Sequence, residues 1–226
     1  MRVVLTTFGT MGDNAPMFAL AEALREQGNE PVLLFNPLCQ AEAAARVLPF
    51  VGVGRRWDPE EVADVAKCAD PMRGAIAIWN DFHLPNVAPT FHPVQRAITE
   101  HRADVVVSHW LSFGAYFAAR QAGVRHAVVN LAPCWWYSHR DPSLYNPIDA
   151  PAWLLRLLLF MPRLLVNRVV GGSLQSVCRE IGVPWRRDQY FAALGEADHN
   201  LGMWSPTFRP LANWNVYWPS RAPPTV

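Results

Sequence analysis

The sequence predicts an α/β fold in which a parallel sheet is flanked by helices. Three observations carry that expectation. Short β-branched runs alternate with segments of helical periodicity, a pattern that calls for right-handed crossovers and a parallel sheet. The runs at 3–5 (VVL) and 105–107 (VVV) are apolar throughout, as strands buried on both faces are. A glycine turn, FGTMGD (8–13), joins the first run to the first helix, with Asp13 as the lone carboxylate between them.

Arg2 to Gly28 reads as strand, turn and helix: Met17, Leu20, Ala21 and Leu24 recur at helical spacing, and Gly28 stands where a glycine closes a helix. Glu30 to Asn36 is a second strand, Gln40 to Leu48 an alanine-rich helix, and Phe50 to Val53 a short third strand. Asp58 to Ala69 reads as a helix with Asp58 as N-cap and Pro59 at the first helical position. Between 70 and 103, Pro71, Pro85, Pro89 and Pro93 punctuate two helices, Met72–Asp81 and Val87–Arg102.

Regularity returns with ADVVVS (103–108) as a strand, Ser112 to Ala122 as a helix ended by Gly123, and His126 to Leu131 as a strand. Ala132 to Ala150 is a loop rich in proline and aromatic residues, of a length that usually marks function. Pro151 to Val170 is a strongly apolar amphipathic helix interrupted at Pro162, with Arg156, Arg163 and Asn167 on one face. Leu174 to Ile181 adds a helical piece closed by Gly182, and His199 to Trp204 is the last strand. Pro219 to Val226 reads as a linker or frayed end.

Composition removes several function classes. The formal net charge is +1 over 226 residues, which gives no electrostatic case for nucleic acid. Cys39, Cys68, Cys134 and Cys178 are far apart, form no CxxC pair and have no histidine at metal spacing, so thiols in a reducing, cytoplasmic compartment are expected and no metal. The first strand starts at once, without a leader segment, and no uncharged run approaches the ~18 residues of a spanning helix.

The turn at 8–16 is the first candidate for chemistry. No Gly-Lys-Ser/Thr follows it, which excludes a Walker A loop, and its glycines are three apart, unlike a dinucleotide fingerprint. The second strand ends in Asn36, where an acid would be needed to hold a ribose. What remains is a turn that aims backbone N–H groups and the Asp13 carboxylate into the crevice beyond the strand ends. The alternative is that Asp13 or Asn14 only caps the helix. Ser108-His109-Trp110, just past a strand end, reaches the same rim; His109 serves there as a ligand contact, as a residue that orients Asp13, or as an ordinary structural histidine.

The stretch GTMGDNAPMFALAEALREQGNEPVLLFNP resembles the opening of UDP-glycosyltransferase-type GT-B glycosyltransferases, above all bacterial enzymes that glycosylate antibiotics, macrolides and sterols. Their pattern is a glycine turn, Gly-Asp-x-x-Pro, an Ala-Leu-Ala helix and Gly-His-Glu-Val before the second strand; Asn29 here stands in place of that histidine. Segments 103–133 and 197–210 also resemble later parts of the same N-terminal domain. In plant and animal relatives a histidine often holds the base position of the turn, whereas the bacterial group has an aspartate, matched here by Asp13.

The resemblance implies a Rossmann-like N-terminal half of a GT-B fold, with inverting transfer of a hexose from a UDP- or dTDP-sugar to a hydroxyl of a hydrophobic small molecule. No other cofactor and no metal are implied. Asp13 would take the proton of the acceptor hydroxyl, with Thr10, Met11, Gly12 and His109 beside the acceptor. Trp110, Phe82, Trp135 and Trp136, together with Trp79, Phe91 and Tyr137, would line an apolar pocket; each aromatic serves equally well as core. The donor-binding half of such enzymes carries a His-Gly-Gly-x-Gly-Thr-like run and an acidic-Gln pair, neither of which occurs here. Residues 1–218 are thus expected to be the acceptor-binding domain, 219–226 a linker, and the donor domain a missing or separate partner, leaving the chain inactive alone. The rival reading is a non-catalytic auxiliary module, with 151–170 in weak peripheral contact with a membrane surface.

Overall fold

The computed structural model of the chain describes residues 1–56, 67–70, 73–132, 151, 153–154, 157, 160–186, 189–205 and 207. Six strands, β1 (Arg2–Thr6), β2 (Glu30–Phe35), β3 (Phe50–Gly52), β4 (Val105–His109), β5 (Arg125–Asn130) and β6 (His199–Gly202), form one sheet in the order β3-β2-β1-β4-β5-β6. Every pairing is parallel. Among the described residues the α-helices are α1 (Met11–Glu26), α2 (Gln40–Ala45), α3 (Gly74–Ala77), α4 (Val87–Glu100), α5 (Phe113–Ala122), α6 (Phe160–Glu180) and α7 (Gln189–Gly195). The parallel sheet flanked by helices is the architecture that the alternating pattern predicts.

Alternation along each strand divides the core between two faces. Val3 and Leu5 of β1, with Leu33, Phe35, Val107 and Val129, pack on Met17, Phe18 and Ala21 of α1. Val4, Val32, Leu34 and Val106 point the other way, onto Phe91, Phe113, Phe117, Val170 and Leu174. With both faces covered, the central strands carry apolar residues at consecutive positions, which is why they read as unbroken runs. Gly114 lets α5 touch α4 backbone to backbone: a Cβ there would lie 2.4 Å from the Val87 carbonyl oxygen.

The sheet order reverses at β1, which has β2 on one side and β4 on the other, with Thr6 opposite Ser108 at their carboxyl ends. A ligand crevice is expected outside the carboxyl ends of these two strands. Asp13 follows β1 and His109 ends β4, so the topology itself brings the two together.

Several elements differ from the sequence reading. A helix at Pro151–Val170 interrupted at Pro162 and a separate piece at Leu174–Ile181 were expected, yet α6 runs unbroken from Phe160 to Glu180. Pro162 lies within α6 and does not end it. The helix expected at Met72–Asp81 is only α3, after which the chain widens into a π turn at Ile78–His83 and a 3-10 turn at Leu84–Asn86. Helix α7 was not anticipated; it is short, and its Gln189 and Phe191 are buried. Trp79 and Phe91, considered above as pocket residues, belong to the core, and Trp79 Nε1 donates to Ser173 Oγ of α6 at 3.3 Å. On α6, Val170, Leu174 and Cys178 are buried, whereas Leu164, Leu165 and Val169 are exposed. No helix among the described residues is long and apolar enough to cross a membrane. Residues 58–66 of the helix expected at Asp58–Ala69, most of the 132–150 loop with Cys134, Trp135, Trp136 and Tyr137, the side chains of Arg156 and Arg163, and the tail at 219–226 lie outside the described residues.

Candidate active site

The first turn is built around one close approach. Gly9 has φ +156°, and a Cβ on it would lie 2.2 Å from Asp13 Oδ2, so no larger residue fits while the carboxylate stays in place. Thr10 follows in extended conformation as the N-cap of α1, and Asp13 is the third helical residue. Asp13 Oδ2 accepts hydrogen bonds from the Thr10 backbone N–H at 2.8 Å and from Thr10 Oγ1 at 3.1 Å. This is the reciprocal half of a capping box, with the negative charge placed favourably at a helix N-terminus.

The other oxygen has a different setting. Asp13 Oδ1 faces Nε2 of His109 at 3.9 Å, and the Asp13 side chain is 32% exposed. The capping bonds are thus confined to Oδ2, and Oδ1 is left facing His109.

His109 is buried, and burial pushes its imidazole down to about 4. The ring is neutral at physiological pH, so the approach to Asp13 is not an ion pair. Its Nδ1 is enclosed with no hydrogen-bond partner. An enclosed bare nitrogen is less costly than an enclosed orphan N–H, so the proton belongs on Nε2, facing Asp13. Two atoms 3.9 Å apart leave room for one oxygen at about 2.8 Å from each, able to donate to the carboxylate and accept from the ring.

A further buried polar group beside the turn was missed by sequence reasoning. His83 ends the π turn, is buried, and packs edge-on against Phe8 with ring centroids 6.2 Å apart. Burial, and then the nearby His109, hold its imidazole down at about 3 against an opposing pull from the Asp13 charge. No sequence signal marked it, because a regular helix through 78–83 would orient the segment differently from the wide turn that forms.

The remaining candidates separate into rim, core and undescribed residues. Met11 and Gly12 lie exposed at the start of α1, Met11 with 58% of its surface open. Pro16 withholds the N–H that would bond the Gly12 carbonyl within the helix. Trp110 turns away into the core beside Val128 and Ala197. Phe82 is buried, and its carbonyl accepts from Asn86 Nδ2. Trp135 and Trp136 lie outside the described residues.

Ser108, His126 and Asp198 do not form a nucleophilic triad. Ser108 Oγ lies 2.8 Å from His126 Nε2, but Asp198 accepts from the His126 backbone N–H, not from the ring. Among the described residues no group of three or more His, Cys, Asp or Glu is placed to hold a metal ion.

Gly9→Ala tests the turn. The added methyl must displace the Asp13 carboxylate or the backbone at a φ that alanine rarely adopts, so a loss of roughly 2 kcal/mol or more is expected in urea unfolding. An unchanged midpoint would show that the turn yields easily.

No protein-family model matches the sequence. Among curated proteins it is similar to the vancomycin aglycone glucosyltransferase of Amycolatopsis orientalis, at 27% identity over 93% of this chain and 50% of that protein. It is also similar to the glycosyltransferase GtfE of the same organism, at 29% identity over 67% of this chain and 34% of that protein. The chain thus spans half or less of the length of these relatives. Among solved structures it matches the Streptomyces sp. SF2575 glycosyltransferase SsfS6, with TM-score 0.58 and 14% identity over 93% of this chain and 52% of that one. The calicheamicin glycosyltransferase CalG4 matches with TM-score 0.59 and 16% identity over 93% and 49%. SsfS6 has also been solved complexed with thymidine diphosphate. The likeness first carried by the opening turn therefore extends over nearly the whole chain, and the fold is that of half a GT-B glycosyltransferase.

Proposed function

We propose that this chain is the acceptor-binding half of an inverting glycosyltransferase that moves a hexose from a nucleotide diphosphate sugar to a hydroxyl of a hydrophobic small molecule. The observation that carries the reading is the divided carboxylate of Asp13, with Oδ2 anchored on Thr10 and Oδ1 facing the neutral His109. Anchoring fixes the base without occupying both of its oxygens. The acceptor hydroxyl sits between Oδ1 and His109 Nε2, donating to the first and accepting from the second.

As that oxygen attacks the anomeric carbon, the new C–O bond forms while the bond from the sugar to the diphosphate breaks. The hydroxyl proton passes to Asp13 Oδ1, and the nucleoside diphosphate leaves with the electron pair. Carboxylates are weak bases, so transfer is concerted with attack, a contribution of about 10²- to 10⁴-fold. Exposed Met11 and Gly12 at the crevice rim, with Thr10 behind them, frame the acceptor. The pyrophosphate is held by a second domain, from the same polypeptide or a separate chain, which supplies the electrostatic share of catalysis.

Complementation tests this reading. The chain alone, given UDP-glucose or dTDP-glucose and a panel of hydrophobic alcohols and phenols, is expected to transfer no sugar. Joined to the carboxyl-terminal half of the vancomycin aglycone glucosyltransferase, it should turn over. Transfer at an ordinary enzymatic rate by the chain alone would overturn the division of labour.

A further inference from the structure

We propose that His83 is a third acceptor-binding side chain of this site, an imidazole set by the wide turn Ile78–His83 against Phe8, beside the turn that holds Asp13, with one ring nitrogen left for a hydroxylated ligand. The inference rests on the reading of the crevice as an acceptor site and adds a residue to it.

The first support is the scaffold. The turn that carries His83 is fixed at both ends. Trp79 is pinned to Ser173 of α6, and the Asn86 side chain donates to the Phe82 carbonyl at 2.5 Å while accepting from the Arg55 backbone N–H at 2.7 Å. Gly54 has φ +75°, and a Cβ on it would lie 2.7 Å from Asn86 Oδ1, so the strand-end loop is shaped around this clamp. π turns are rare and concentrate at functional sites, because the extra residue re-aims side chains.

The second support is the ring itself. His83 is more than nine-tenths buried, yet its Nδ1 is enclosed with no hydrogen-bond partner. A buried polar group left unsatisfied costs about 1–3 kcal/mol, and a leucine or phenylalanine would fill the place beside Phe8 without that cost. Orphaned polar groups persist where function needs them. The argument made for His109 applies here too. The enclosed Nδ1 is bare, the proton sits on Nε2, and Nε2 is the nitrogen able to reach a ligand.

The experiment uses the whole chain labelled with ¹⁵N in its histidine rings and 4-methylumbelliferone, a flat aromatic alcohol, as probe. His83 and His109 are each expected as the neutral Nε2–H tautomer at pH 7, and both signals should move in Asp13→Asn. The probe should shift both rings along one saturation curve. His83→Phe keeps the ring volume and removes the donor, and should weaken probe binding about tenfold. His83→Gln places an amide N–H where Nε2 was, and should hold affinity within about threefold of the parent. Circular dichroism and the urea midpoint confirm that each variant folds. If the probe moves His109 but leaves His83 still, or if His83→Phe binds as the parent does, the proposal is overturned while the acceptor reading stands. If neither ring responds, the acceptor reading falls and takes this one with it.

Discussion

Asp13→Asn, placed in the chain joined to a donor half, is expected to lower kcat by about 10²- to 10⁴-fold while the acceptor KM stays within a few-fold of the parent. The asymmetry of the carboxylate makes the variant informative. The amide oxygen can take over the bonds from Thr10 N–H and Oγ1, so the turn, the helix cap and the rim keep their shape. Only the oxygen that faces His109 loses its capacity to take a proton. Asp13→Ala removes the cap as well, at about 1 kcal/mol of stability, and so mixes two effects. A kcat unchanged in the Asn variant would make the carboxylate a cap and nothing more, and would favour the auxiliary role. A fall in acceptor affinity equal to the fall in turnover would place Asp13 in ground-state binding instead.

How far the sequence discloses this site depends on which physical signal each part leaves. The sheet was legible because strands buried on both faces carry apolar residues at consecutive positions, as Val3–Leu5 of β1 and Val105–Val107 of β4 do. The turn was legible because a close approach demands glycine and a helix start rewards an acid, so Gly9 and Asp13 both stand out. His109 was legible only through topology, as a polar residue at the carboxyl end of a strand. Trp110 misled the reading, since the next residue beyond a strand end can as easily turn back into the core, as it does beside Val128. Phe82 shows the limit of helical periodicity. A π turn adds a residue per turn, so the side chain carried to the site is His83, one position on. The continuous α6 was obscured by reading Pro162 as an interruption, whereas the helix includes it.

The largest effect on stability is expected from acid, and it comes from the histidines that make the site neutral. His83, His109 and His126 are buried and held at about 3, 4 and 4, against 6.5 when exposed. In the unfolded chain each binds a proton below about pH 6.5, and in the native state none does until pH 4 or lower. The unfolded state therefore holds up to three more protons, and stability falls as pH falls, at roughly 4 kcal/mol per pH unit in the steepest part. Between pH 7 and pH 5 the loss is about 5 kcal/mol, a large share of the ~5–15 kcal/mol typical of a domain. The Asp104 carboxyl, held below its usual range mainly by the Arg2 backbone N–H, adds its own loss only below about pH 4, outside this window. Urea midpoints at pH 7, 6 and 5 check the slope, and a flat profile would mean that these rings titrate freely in the native state. His126→Gln should remove about a third of the slope, because that ring pairs with Ser108 within the sheet and takes no part in the crevice. The same burial that makes the protein acid-sensitive keeps cations away from Asp13. A protonated His109 would form an ion pair with Asp13 Oδ1 3.9 Å away, so the cost in acid stability is the counterpart of leaving that oxygen without a cationic partner on His109.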